Sequence, residues 1–91
     1  MGDIIQIACR TLTTTEDVLY KSVSGVIIKS IIMYNSSSEE NKVTITLDGV
    51  PFTFLLSAGG NTILNITTVT REIKAQAETS VNINISGIEL R

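Results

Sequence analysis

The chain has 91 residues, 43% of them hydrophobic but only 4% aromatic, and carries a net charge of −2 with no histidine and one cysteine. That length holds one domain with a single aliphatic core, small enough for partner surfaces to contribute much of its stability. Scattered cations give no basic stripe for a phosphate backbone, one thiol gives no disulfide framework, and without histidine neither a Cys/His zinc constellation nor a Cys–His dyad can form.

β-branched Ile, Val and Thr dominate, which favours strands. From Asp3 to Leu12, Ile5, Ile7 and Cys9 alternate with Gln6, Ala8 and Arg10 as a first strand, with Ile4 at its edge. Cys9 reads as a small apolar side chain in that strand. The polar run Thr13 to Asp17 predicts a turn, Val18 to Tyr20 a short strand, and Ser22-Val23-Ser24-Gly25 a tight connection.

The stretch "GVIIKSIIMYN" from Gly25 to Asn35 is apolar on both rows of a strand. Ile27, Lys29, Ile31, Met33 and Asn35 share one row, and Val26, Ile28, Ser30, Ile32 and Tyr34 the other. If the first row lines the core, Val26, Ile28, Ile32 and Tyr34 need a cover of their own, so these four are the candidate interface residues.

Asn35 to Asn41 reads as a solvated loop, and Val43, Ile45 and Leu47 then alternate with Thr44 and Thr46. Asp48-Gly49 is a two-residue hairpin signal, followed by a strand that opens on Pro51 and continues through Phe52, Phe54 and Leu56. Ser57 to Asn61 makes a turn and Thr62 to Thr67 a further strand. Glu72 to Ala77 has helix-favouring residues, yet Ile73, Ala75 and Ala77 fall at strand spacing, and the segment is read as a strand. Val81, Ile83 and Ile85 face a core against Asn82, Asn84 and Ser86, before Gly87 bends or bulges the strand ahead of Ile88 and Leu90. The whole predicts an all-β, antiparallel β-sandwich, Ig-like or jelly-roll-like, of seven to eight short strands, with a barrel as the related alternative.

No residue pattern describes a reaction. The adjacent carboxylates Glu16-Asp17 and Glu39-Glu40 fall in polar loops without the spaced oxygen ligands of a calcium loop. Gly59-Gly60-Asn61 lacks the lysine and helix of a phosphate-binding loop. Three Asn-X-Ser/Thr tripeptides, at Asn35, Asn65 and Asn84, are what chance gives in a chain rich in these residues. No catalytic, cofactor or metal residue is assigned. No apolar run approaches the ~20 residues of a membrane-spanning helix and no signal-peptide pattern opens the chain, so the expectation is cytoplasmic synthesis without a membrane partner.

The order of "TEDVLYKSVSG", "VIIKSIIMYNSSSEENKVTITL", "LLSAGGNTILNI" and "REIKAQAETSVNINISGIEL" resembles a family of small bacteriophage virion proteins. The likeness rests on Leu19-Tyr20, Gly25, Ile28 to Ile31, Asn35, Val43 to Leu47, Ile73 to Ala77 and Val81 to Leu90. The bare hairpin between Leu47 and Phe52, and Arg71-Glu72 where a Gly-Asp turn is commoner, depart from that pattern. The resemblance implies a non-enzymatic structural subunit made in the host bacterial cytoplasm and carried in the virion. Its expected partners are its own copies, as a homo-oligomer, and a larger virion protein such as the major capsid protein. Capsid decoration leads. A tail or head–tail connector component, or a small carbohydrate-binding module, are the alternatives.

Overall fold

The computed structural model describes residues 3–90. Seven strands follow one another among the described residues: β1 Ile5–Leu12, β2 Asp17–Asn35, β3 Asn41–Leu47, β4 Val50–Leu56, β5 Asn61–Leu64, β6 Thr68–Ala77 and β7 Val81–Glu89. All pairings are antiparallel, and the described residues contain no helix. The all-β antiparallel expectation therefore holds. Hydrogen bonds join the strands in one sheet of order β1-β7-β2-β6-β3-β4, with β5 on β2 beside this path.

The long β2 makes one sheet out of two halves. It pairs with β6 from Asp17 to Ile28, with β5 from Ile31 to Tyr34, and with β7 from Val26 to Asn35. Nineteen residues of straight strand would run ~60 Å at about 3.3 Å per residue, whereas the molecule's longest extent is 41 Å, so β2 must bend. The bend lets the sheet fold over itself, which a sheet needs in order to bury a face. Buried side chains from β1, β2, β3, β4, β6 and β7 meet there in one core that includes Leu12, Ile31, Met33, Ile45, Leu56, Ile73 and Ile85.

Two interruptions explain why β2 departs from its expected rows. Ser22 to Gly25, expected as a turn between strands, is an excursion within one strand, set between the pairs Lys21↔Glu72 and Val26↔Thr70. Gly25 has φ of 89°, and a Cβ there would lie 2.9 Å from the Thr70 carbonyl oxygen, so glycine is required. Further on, the register against β7 slips between Ile28 and Ser30, leaving Lys29 as the extra residue of a bulge. One extra residue exchanges the two faces of a strand.

Val26 and Ile28 point into the core before the bulge, and Ile31, Met33 and Asn35 after it. The apolar rows thus belong to one core entered in two phases. Val26 and Ile28, expected at a partner interface with Ile32 and Tyr34, are fully buried in the chain's own interior, and this corrects their assignment. Ile32 and Tyr34 remain exposed.

β1 needs a similar correction. A register shift between Gln6 and Ala8 moves Ala8 and Leu12 into the core and Cys9 to the outer face, against the expected Ile5, Ile7 and Cys9 row, while Ile5, opposite Gly87 at the start of the strand, is also exposed. The regular strands keep their phase. Val43 and Ile45, then Ile73, Ala75 and Ala77, then Val81, Ile83 and Ile85 are all buried at alternate positions. Gly87 approaches β2 so closely that any Cβ would collide with the Ile27 carbonyl oxygen, and the bulge foreseen at Gly87 lies opposite it, on β2.

Candidate functional site

Past the Lys29 bulge, the outward residues of β2 lie in a face built from β1, β7, β2 and β5. Directly opposed residues in antiparallel strands point to the same side. The pairings Cys9↔Asn84, Asn84↔Ile32 and Ile32↔Ile63 therefore make one row, and Thr11↔Asn82, Asn82↔Tyr34 and Tyr34↔Asn61 make the next. Ile32 is 42% exposed, Tyr34 38% and Ile63 59%, and together they form an apolar stripe flanked by amides and a hydroxyl. Asn82 accepts a hydrogen bond from the Thr11 hydroxyl at 2.8 Å, and Asn84 donates to Gln6 at 3.4 Å. A shallow depression of about 530 Å³ over this face is lined by residues that include Arg10, Ile32, Tyr34 and Asn84. Neither row holds a charged residue, and the neighbouring Arg10 is engaged with Asp17 at 2.9 Å.

An apolar groove of about 340 Å³ opens elsewhere, lined by Ile31, Ile45, Phe52, Phe54, Leu64 and Ile66 among others. It lies where β4 and β5 leave the inner face incompletely covered.

Neither a protein-family model nor a curated protein matches the chain.

The polar clusters are structural. Asn35, fully buried at the end of β2, donates through its side-chain amide to the carbonyls of Glu39, Leu56 and Ser57 and accepts from the Ser37 amide at 3.0 Å. Asn41, also buried, accepts from the amides of Glu78 and Thr79. These two side chains serve backbone groups of converging loops, which is how a buried amide is accommodated. The segment 35–41, expected to be solvated throughout, is thus anchored at both ends. Asp48 plays the same part in the β3–β4 turn, accepting from Thr70, Arg71 and Glu72.

Of the four expected interface residues, the structure brings Ile32 and Tyr34 together and places Val26 and Ile28 elsewhere. The alternation of Asn82 and Asn84 with core residues sets them on an outer face in the sequence, and the structure places them there beside Tyr34 and Ile32. Sequence reasoning missed Ile63, because its place beside Ile32 depends on a long-range pairing. The carboxylates Glu16, Glu39 and Glu40 are exposed, and Asp17 faces Arg10. Gly60 closes a turn onto the Ser57 carbonyl at 3.0 Å.

Proposed function

We propose that the protein is a non-enzymatic structural subunit of a bacteriophage particle, a repeated accessory component that decorates the capsid. The contact is the outer face bearing Ile32, Tyr34 and Ile63, laid against a larger virion protein such as the major capsid protein. The observation that carries this reading is the uncharged apolar stripe on the outer sheet face. Aromatic and aliphatic anchors without charge are what the desolvated centre of an interface requires. The amides of Asn82, Asn84 and Asn61 supply a polar rim that can be met by partner backbone. The motif resemblance supplies the particle. A tail or connector position would use the same face against a different neighbour.

The test is co-sedimentation of the purified protein with particles lacking it. Wild type should pellet with capsids, and Ile32→Lys/Tyr34→Lys should lose about tenfold or more in affinity while keeping its β circular dichroism, because each new charge is desolvated without a partner. Wild type that binds neither capsids nor tails overturns the reading. Tyr34 beside three amides also suits a sugar ring, so binding on a glycan array that Tyr34→Ala removes, without particle binding, would replace the virion role by carbohydrate recognition.

A further inference from the structure

Among the described residues, three strands have a neighbour on one side only: β1 on β7, β4 on β3 and β5 on β2. An open edge presents unpaired N–H and C=O groups, and proteins ordinarily blunt it with a bulge, a charge, a proline or shortness. β1 carries both a bulge between Gln6 and Ala8 and the charged Arg10. β5 has only four residues. β4 has Pro51 near its start, but beyond it the strand continues in unbroken register with β3, and no charged residue lies between Val50 and Gly60. Leu55 is 63% exposed on it and Phe52 47%.

The direction of each backbone group in β4 follows from the turn. Asp48 and Gly49 have φ of 50° and 83°, the pattern of a two-residue type I′ hairpin, in which the flanking pair Leu47↔Val50 is hydrogen-bonded. Alternation then points the groups of Phe52, Phe54 and Leu56 at β3, and those of Pro51, Thr53 and Leu55 outward. Bonds on the far side of β3 agree. The Asp48 amide donates to the Glu72 carbonyl and the Lys42 carbonyl accepts from the Glu78 amide, so even-numbered residues there serve the β6 side. Pro51, with no N–H to give, falls on the outward row, and only Thr53 and Leu55 offer both a donor and an acceptor to a newcomer.

We propose that this edge is a homodimer contact, in which β4 of two copies pairs antiparallel about a two-fold axis at Phe54. The edge specifies extended backbone as its occupant, and its own sequence is the complement. Pairing Thr53 with Leu55 of the second copy satisfies every outward group of both residues in both chains. A register centred on Thr53 would set the Leu55 carbonyl against Pro51, which has no donor. A two-fold contact brings each charge near its like, and an uncharged strand carries no such cost. The two Phe54 side chains meet across the axis at the groove lined by Phe52, Phe54 and Leu64, extending the apolar contact. This surface is separate from Ile32 and Tyr34, so it stands or fails independently of the virion reading.

Sedimentation of the full chain over a range of concentrations, with amide hydrogen exchange, tests it. Wild type should dimerise, and the Thr53 and Leu55 amides should gain protection as concentration rises, while those of Phe52 and Phe54 stay protected throughout. Thr53→Pro removes an outward donor, and Leu55→Lys places a charge on the edge; each should raise the dimer dissociation constant about tenfold or more with an unchanged β spectrum. Ile32→Lys should leave the dimer intact. If Thr53→Pro does not fold, Leu55→Lys carries the comparison. A wild type monomeric up to its solubility limit, or a dimer whose Thr53 and Leu55 amides exchange freely, overturns the proposal.

Discussion

Three donors converge on one oxygen of Asp48: the Thr70 hydroxyl at 3.0 Å and the amides of Arg71 at 2.9 Å and Glu72 at 3.0 Å. The hydrogen bonds from the Arg71 and Glu72 amides, then that from Thr70, favour the ionised carboxyl and hold it below the usual aspartate range. A carboxyl lowered on folding stabilises the native state above its unfolded value and loses that contribution as pH falls through the folded one. Asp48→Asn keeps the turn preference and removes the charge. Its stability deficit against wild type in denaturant titrations should therefore be full near neutral pH and shrink below the ordinary aspartate range. A deficit that stays constant down to strong acid would mean the charge plays no part. The hairpin itself was legible in Asp48-Gly49, because turn chemistry is local. The clamp on Thr70 was not, since its partners lie 22 or more residues away.

Strands or segments whose alternation runs uninterrupted, β3, β7 and the Glu72 to Ala77 part of β6, were readable with their core faces, whereas β6 changes phase between the buried Thr70 and Ile73. β1 and β2 were readable as strands but not in phase, because an extra residue leaves the period of two intact on each side and only exchanges the faces. No glycine marks the bulge at Lys29, so the sequence carries no local sign of it. Its consequence is measurable. Ile28 is buried before the bulge and Ile32 half exposed after it, although an unbroken strand would put both on one face. Ile28→Ala should cost roughly 2–5 kcal/mol as a large-to-small core change, and Ile32→Ala less than about 1 kcal/mol. Urea midpoints for the two variants decide it, and equal losses would show an unbulged strand. The same reasoning divides the expected interface. Excess apolar character on both rows of β2 does not tell whose surface covers them, and only the bulge separates Val26 and Ile28, which the chain covers itself, from Ile32 and Tyr34, which it leaves exposed.

At the scale of the whole molecule, nearly every pairing is remote in sequence. β1 at the start of the chain pairs with β7 at its end, through partners such as Ile5↔Gly87, and β6 and β7, although consecutive, flank β2 on opposite sides. The β3–β4 hairpin is the one pairing between consecutive strands in the sheet order. Such connectivity is invisible to period and turn signals, which is why the strands could be read from the sequence and their neighbours, the sheet edges and the row that joins Ile63 to Ile32 could not. It also constrains folding, since loop closure must precede the contacts that compensate it. Folding should be a single cooperative step on the order of milliseconds to seconds, as for other non-local β topologies, rather than microseconds. Within that step, the local β3–β4 hairpin can form early, whereas β1 has no place until β7 is laid beside β2. Val43→Ala in β3 should therefore slow refolding, and Leu12→Ala in β1 should act mainly by speeding unfolding. Stopped-flow chevrons of the two variants separate these effects. A Leu12→Ala variant that slows refolding as strongly as Val43→Ala would place the closure of the chain ends inside the transition state and reverse this order of assembly.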